Sequence, residues 1–370
     1  MAELVAGNGA DIYYVSAADM KILYENGVVA DMTGMLPAEL EEAVYPGVLD
    51  GGILGGQRVG LAPEAKSVTM LVSGKYWNGE SWNLEELMDM VDVHPELTYP
   101  IICGQQYLDG YRLLQMLLFQ DLDNTPFLNL KGGSCDFENP LFIRVLELAK
   151  RYYDEPIEIT MEDNMSQELL EMGDYAAVIL APWDFPSFNQ TMSMVAQDCY
   201  QVGLPTDEGA GCYWQTDCYL VVNRNAHNQD VVYAYLAYLL EENSQNSTLQ
   251  PVRRDLLKQH VVADDKDPNK LFYADDKGGY YLLETAPDGS AWQEEYEKMQ
   301  SQSVLVTKDT NQIQQIITEE VKDYFSGVRD AETVAGLIQN RVQLYLKEQD
   351  TAAETGPEKG GRTDISRHHF

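Results

Sequence analysis

The chain has 370 residues and carries 25 Lys and Arg against 60 Asp and Glu, a formal net charge of -35 at pH 7. A chain this acidic repels phosphate backbones, so nucleic acid is not expected as a partner, and a neutral ligand is favoured unless local charge overrides the total. Hydrophobic residues make up 45%, the mean hydropathy is -0.32 and no apolar run spans a membrane, so we expect a soluble globular protein.

The first predicted elements are a strand over Asp11–Val15 and a helix that Ser16 caps and Gly27 ends. Tyr14, Ser16 and Asp19 lie at the carboxyl end of this strand and the start of the helix, where open α/β sheets bind ligands. We therefore treat all three as candidate ligand contacts. Plain N-capping is the alternative role for Ser16.

A strand predicted over Ser67–Val72 follows a Gly-rich turn. Glu64 and Lys66 lie at its start, where they either reach the hydroxyls of a ligand or pair with each other in solvent. Trp77 and Trp82 are expected to pack on the next helix rather than on a ligand.

Asparagine caps begin the next predicted helices. Asn83 and Glu86 predict a capping box, and Asn139 precedes a helical pattern over Leu141–Tyr152. Another helical pattern covers Leu113–Leu118. Two candidate ligand contacts precede it, Tyr107 and Asp109. Capping of the helix explains Asp109 equally well.

A continuous apolar run over Ala176–Ala181 predicts a buried parallel strand, which Pro182 ends. Trp183 follows at once, and either stacks on a sugar ring or packs between strand and helix. Asp184 either accepts sugar hydroxyls or is solvated.

The stretch 202–245 predicts a Gly-rich loop, a strand over Tyr219–Asn223 and a helix capped by Asn225 or Asn228. The helix is predicted to bury an apolar face, Val232, Tyr235, Leu236, Leu239 and Leu240. The loop carries three candidate ligand contacts, Tyr213, Trp214 and Asp217. The alternative for the two aromatic residues is a cluster that covers the hinge, and the alternative for Asp217 is capping of a turn.

The C-terminal third begins with a polar excursion over 262–290, and two amphipathic helices follow, Asn311–Phe325 and one capped by Asp330. Residues 351–370 lack periodicity and are predicted to be a disordered tail. The five cysteines contain no CxxC pair, so no zinc site is expected, and small buried residues are favoured over a Cys212–Cys218 pair. No hydrolase, metalloprotease or P-loop motif is present, and no catalytic residue, metal or cofactor is predicted.

The motifs at 7–12 (GNGADI), 51–77 and 202–245, together with the helix pair at 319–349, resemble the ABC-transporter extracellular solute-binding proteins of the carbohydrate type (family 1, periplasmic-binding-protein-like II). One departure is Val72-Ser73, where the family often has Tyr-Asn. The resemblance implies an α/β, two-lobe fold with hinge crossovers. The strands and helices that usually precede the first motif are not present, so the first lobe is expected to be N-terminally truncated. Lobe 1 is predicted to contain 1–68 and 219–262, and lobe 2 to contain 69–218 and 263–349.

The function that this resemblance implies is capture of a sugar or oligosaccharide in the cleft between the lobes, and its delivery to the permease of an ABC importer. The protein is then a binding protein and a monomer, extracellular on a Gram-positive cell-surface lipid anchor or periplasmic. A secreted glycoside-active enzyme and a sensory binding protein for another small solute are the alternatives.

Overall fold

The computed structural model describes residues 9–79, 81–103, 108–157, 175–182, 188, 192, 199–207, 209–216, 218–245, 251–255, 270–274, 280–284, 290–304 and 310–354. The described strands are β1 (Ile12–Val15), β2 (Ile53–Leu54), β3 (Gln57–Arg58), β4 (Lys66–Ser73), β5 (Ile101–Cys103), β6 (Leu128–Asn129), β7 (Ser134–Cys135), β8 (Ala177–Leu180), β9 (Cys199–Gln201), β10 (Leu204–Thr206), β11 (Gly209–Gly211), β12 (Tyr213–Gln215), β13 (Tyr219–Val222), β14 (Lys270–Ala274) and β15 (Tyr280–Glu284). The described helices are α1 (Ala17–Glu25), α2 (Ala38–Ala43), α3 (Pro46–Asp50), α4 (Leu84–Val93), α5 (Gly110–Leu114), α6 (Pro140–Asp154), α7 (Gln229–Leu239), α8 (Glu242–Gln245), α9 (Ser290–Gln302), α10 (Asn311–Phe325) and α11 (Ala331–Glu354).

Strand β4 lies inside a five-stranded mixed sheet. It pairs antiparallel with β12, β8 and β9, and β5 pairs parallel with β8, so the order across the sheet is β12–β4–β8–β5 with β9 also beside β4. The predicted strand Ser67–Val72 is confirmed, with one residue added at each end. The buried strand predicted over Ala176–Ala181 is confirmed as β8, parallel to one neighbour and antiparallel to the other.

Two hydrophobic cores lie on opposite faces of this sheet. Because side chains alternate along a strand, β4 contributes Val68, Met70 and Val72 to the first core and Leu71 to the second. The first core also contains α4 to α6, α10 and α11. The second contains residues of α1, β13 and α7. Both faces of this sheet are therefore buried. The division of the chain into the two predicted lobes stays a prediction.

The N-terminal strand β1 pairs antiparallel with β13, from Ile12 opposite Val222 to Val15 opposite Tyr219. On its other edge, β13 exchanges backbone hydrogen bonds with Leu61 through Leu220. The predicted strands over Asp11–Val15 and Tyr219–Asn223 are therefore confirmed, each with one end residue fewer. This pairing brings helix α1 beside strand β13.

The predicted asparagine caps are confirmed. Asn83 and Glu86 form a reciprocal capping box, with distances of 2.9 and 2.8 Å between each backbone nitrogen and the partner's side-chain oxygen. Asn139 caps α6 by accepting from Leu141 N at 3.0 Å. Of the two candidates before α7, the cap is Asn228.

Helices α10 and α11 pack on α6 and on each other. Both predicted helices are confirmed, and Asp330 Oδ1 accepts from Thr333 N at 2.8 Å as the expected cap of α11. The apolar faces expected from the sequence are buried through nine residues. These are Ile313, Ile316, Ile317, Val321 and Phe325 of α10, and Val334, Ile338, Val342 and Leu346 of α11.

Three features differ from the sequence expectations. Tyr235 of α7 leaves 44% of its surface exposed, whereas Val232, Leu236 and Leu240 are buried as predicted. The region 262–290, predicted as a polar excursion, contains a hairpin of β14 and β15. The sequence did not predict it, because polar residues surround the two short runs of apolar and aromatic residues that form its strands. Helix α11 continues to Glu354, and the rest of the predicted tail lies outside the described residues.

The five cysteines, all within the described ranges, form no disulfide. Cys212 is buried, its Sγ lies 3.4 Å from Thr69 Oγ1, and it accepts from Gln201 Nε2 at 3.2 Å. Burial raises the pKa of the Cys212 thiol, so the neutral form prevails. Cys212 thus behaves as the small buried residue that the sequence favours.

We expect Tyr152→Phe to lower the free energy of unfolding by about 1–3 kcal/mol. The buried Tyr152 hydroxyl accepts from Ile101 N at 2.9 Å and donates to Ile101 O at 2.6 Å, so its loss removes a partner from both backbone groups. Urea unfolding measures the change. The matched control is Tyr153→Phe on the same helix, where 36% of the residue is exposed. An equal loss in both variants would contradict the prediction.

Candidate functional site

The candidate site is a cavity of about 280 Å³ between elements of the two cores. One wall comes from α1, β13 and the turns around β2, and the other from the helix after α5 and from the start of α10. The described lining residues are Ala17, Ala18, Met20, Lys21, Gly51, Leu54, Gln115, Phe119, Gln120, Gln215, Tyr219, Thr310, Asn311 and Gln314. Amide side chains are the commonest polar groups among them.

Hydrogen bonds hold several of these amides in place. Gln215 Nε2 donates to Gln120 Oε1 at 2.9 Å, which joins the crossover strand β12 to the helix that follows α5. Gln314 Nε2 donates to Phe119 O at 3.1 Å and to Thr310 Oγ1 at 2.8 Å. These bonds leave acceptor and donor capacity on the amides, since each amide group offers two donors and an oxygen with two lone pairs.

A π-helical turn carries part of the wall. Helix α5 passes directly into a turn over Gln115–Phe119, in which Met116, Leu117 and Leu118 are buried in the first core. Gln115 and Phe119 both line the cavity. Single π-turns within α-helices are rare and occur frequently at functional sites.

Two helix N-termini border the cavity. Ala17 and Ala18 are in the first turn of α1, and Thr310 and Asn311 are at the start of α10. Each helix N-terminus carries a partial positive charge from its unpaired backbone N–H groups. The wall thus combines amides with two regions of positive potential.

The cavity lining contains no aspartate or glutamate among the residues that the structure describes. This composition contrasts with the 60 acidic residues of the whole chain. Lys21 is the cation in the wall, with Glu25 Oε1 at 3.9 Å from its Nζ on the next helical turn. Tyr219 is buried, which raises the pKa of its hydroxyl and keeps it neutral.

An open groove of about 490 Å³ adjoins the cavity and shares four lining residues with it, Gln115, Phe119, Asn311 and Gln314. Asp109, Tyr111 and Arg112 of the α5 region line its far part, opposite Gln315 and Thr318 of α10. The sequence predicted Asp109 as a ligand contact or a helix cap. It does cap α5, since Arg112 N donates to Asp109 Oδ1 at 2.8 Å, and it also lines the groove.

Four predicted contacts lie outside the described residues: Tyr107, Trp183, Asp184 and Asp217. Their roles stay predictions.

Tyr213 and Trp214 are buried in β12 and are not part of the described cavity lining. Only 3% of Trp214 is exposed, and its ring lies 5.1 Å from that of Tyr45. The sequence predicted a loop here, whereas the structure has strand β12, whose register against β4 places both rings in packed surroundings. The candidate site therefore does not include them, and their roles as ligand contacts stay predictions.

The remaining predicted contacts are not part of the described cavity lining. Ser16 caps α1, accepting from Asp19 N at 3.1 Å and donating to Asp19 Oδ2 at 3.0 Å, directly before the lining residues of that helix. Lys66 lies opposite Gln215 in the β4–β12 pairing. The other two lie on exposed surface, Tyr14 and Glu64.

Sequence reasoning missed the amides. Gln120 and Gln215 are 95 positions apart, and glutamine has no pattern of its own that marks a cleft. The available signal was position, because Gln215 directly follows a predicted pair, Tyr213 and Trp214. The neighbouring polar residue Gln215 lines the cavity, whereas the aromatic residues Tyr213 and Trp214 do not.

No helix in the described ranges is both long and apolar enough to cross a membrane. In the same ranges, no group of three or more His, Cys, Asp or Glu side chains is arranged to hold a metal ion.

No family model matches this chain, and no curated protein matches it in sequence. Solved structures do match it in fold, among them a family 1 extracellular solute-binding protein and a sugar-binding protein, and these neighbours have a two-lobe fold. The α/β, two-lobe fold class predicted from the sequence is thereby confirmed, and the resemblance to these proteins is confirmed at the level of the fold.

Three of these structures illustrate the likeness. The sugar-binding protein MalE from Xanthomonas citri is 14% identical with a TM-score of 0.58, over 96% of this chain and 88% of that chain. A family 1 extracellular solute-binding protein from Alicyclobacillus acidocaldarius is 12% identical with a TM-score of 0.56, over 94% and 86%. An ABC-transporter solute-binding protein from Thermotoga lettingae, solved with α-D-tagatose, is 14% identical with a TM-score of 0.51, over 93% and 87%.

We expect Trp214→Ala to lower the free energy of unfolding by about 3–5 kcal/mol, because it empties a packed site beside Tyr45. Trp214→Phe should cost less, since it keeps part of the ring contact and removes an indole N–H that has no hydrogen-bond partner. Urea unfolding of both variants measures the difference. A small loss in Trp214→Ala would show that the ring does not stabilise the core, and would favour a role for Trp214 as a ligand contact.

Proposed function

We propose that this protein is an extracellular solute-binding protein that captures a sugar or oligosaccharide and delivers it to the permease of an ABC importer. The observation that carries the proposal is the amide-lined cavity between the two cores. Amides donate to and accept from sugar hydroxyls, and the rings of Phe119 and Tyr219 offer apolar faces to sugar C–H groups. The described lining is thus suited to a hydroxylated ligand.

The fold supports the same class of ligand. Among the structures that share it, MalE3 from Thermotoga maritima was solved with maltose and the domain from Bdellovibrio bacteriovorus with maltotriose. Identities of 11–12% mean that these proteins support the proposal through the fold alone.

Capture would proceed by closure of two lobes. We assign Lys21 and Tyr219 to lobe 1 and Gln115 and Gln314 to lobe 2, following the ranges 1–68 with 219–262 and 69–218 with 263–349. Each wall alone would bind weakly. Closure brings both walls onto one ligand and expels water, so affinity depends on the closed state, which the permease then recognises.

Catalysis is not part of this proposal. Glycoside hydrolysis generally needs two carboxylates on either side of the scissile bond. The described cavity lining offers hydrogen-bonding amides and no such pair. A sensory role would use the same binding site, with a receptor in place of the permease.

The same proposal locates the protein outside the cytoplasmic membrane, either lipid-anchored at a Gram-positive cell surface or in a periplasm. It also predicts that a single copy binds the ligand, because both walls of the cavity belong to one chain.

The test is isothermal titration calorimetry of the full chain with a panel of mono- and oligosaccharides, with the solutions analysed afterwards for hydrolysis. Saturable heat with the sugar recovered intact is the expected result. Absence of binding by folded protein across the panel would contradict sugar capture, and released product would favour the enzyme instead.

We expect Gln120→Leu and Gln215→Leu each to weaken the affinity for a sugar found in this panel by about 3- to 10-fold. Each variant removes hydrogen-bonding groups from the wall and breaks the bond between the two amides, at about 0.5–1.5 kcal/mol per neutral hydrogen bond. The matched control is Gln349→Leu, at an exposed position near the end of α11 that lines neither the cavity nor the groove. Equal affinities in all three variants would show that these amides do not contact the ligand.

A further inference from the structure

The groove beside the cavity contains a half-buried arginine, Arg112, with no carboxylate partner among the residues that the structure describes. Arg112 lines this groove, and none of the described carboxylates lies within ion-pair distance of its guanidinium. Its Nε is buried without a hydrogen-bond partner. Burial raises the pKa of Cys103 at the end of β5, and the guanidinium opposes this effect through its charge and a hydrogen bond.

The other half-buried arginines of the described chain each face carboxylates. The shortest N–O distances are 2.6 Å for Arg58–Glu41, Arg144–Asp92, Arg253–Asp255 and Arg341–Glu320. A chain with 60 acids and 25 Lys and Arg has carboxylates in excess for every cation. Arg112 differs in having no such partner in the described ranges, and a partly desolvated charge without a counter-charge costs free energy.

Acidic side chains are also few in the described lining around Arg112. The wall of the adjoining cavity has Lys21 and two helix N-termini, and no acid among its described residues. The groove has one carboxylate in its described lining, Asp109, and this side chain already accepts a hydrogen bond from the Arg112 backbone. The described lining of this site is therefore much less acidic than the protein as a whole.

We propose that the cavity and groove bind a carbohydrate with an anionic group, and that Arg112 pairs with this group while the cavity amides bind the hydroxyls. The inference rests on the proposed sugar-binding function and narrows its ligand class. A guanidinium presents a planar fork of donors that matches a carboxylate or a phosphate bidentately. A uronic acid and a sugar phosphate are the two sources of such a group.

The experiment is calorimetric titration of the full chain with matched sugars. The pairs are glucose with glucuronate and galactose with galacturonate, and the 6-phosphates of both sugars form the second arm. We expect one acidic class to bind roughly tenfold or more tightly than the neutral partner, and this preference to weaken as salt is added. The arm in which the preference appears identifies carboxylate or phosphate as the source.

Variants test whether Arg112 is responsible. Arg112→Gln should remove the preference and leave the neutral sugar's affinity within about twofold, whereas Arg112→Lys should keep part of it, because the charge remains and the fork is lost. The matched control is Arg224→Gln, which removes the same charge from an exposed arginine bonded to Gly27 O. The control should retain the preference.

The outcomes separate this inference from the proposed function. If wild-type protein binds neutral sugars as tightly as acidic ones, or if Arg112→Gln keeps the preference, the inference is wrong and sugar capture stands. If folded protein binds no sugar of either class, both are wrong. The comparison on wild-type protein decides the ligand class even if Arg112→Gln fails to fold.

Discussion

Burial of strand β4 is the constraint on which the rest of the structure depends. Seven of its eight residues are buried, and it pairs with three other strands. Its apolar side chains enter both cores, and its buried hydroxyls need partners within the protein. Ser67 Oγ donates to Gln300 Oε1 at 2.9 Å, and Thr69 Oγ1 lies beside Cys212 Sγ. The register of β4 thus fixes helix α9 and strand β12, and through β12 it positions Gln215 at the cavity.

Much of the fold could be predicted because its signals are local. Asn83, Asn139 and Asn228 mark helix starts by hydrogen bonds that span two or three residues, and apolar periodicity marks the buried faces. The cavity could not be predicted in the same way. It depends on which face of β12 points inward and on contacts between distant positions, as the burial of Trp214 against Tyr45 illustrates. Ser16 and Lys66 were identified close to the cavity because element ends are recognisable without tertiary information.

The charge of the whole protein differs from the charge of the cavity lining, and the two have different effects. The overall charge of -35 keeps the molecules apart in solution. The described cavity wall excludes this charge and uses amides, which remain uncharged across the physiological pH range. These amides present the same hydrogen-bonding groups at any pH, and Lys21 is the one charged side chain in the described lining.

The π-turn at Gln115–Phe119 has a consequence for how this site could change between related proteins. A π-turn spans one residue more than an α-helical turn, since its hydrogen bonds run from i to i+5. Deletion of a single residue there would restore a regular helix, keep the flanking residues on the faces they now occupy, and change only which side chains the turn itself presents to the cavity. Relatives that differ by one residue at this point would thus present different groups to the ligand on the same framework. Ligand preference could diverge by a change in length as readily as by substitution.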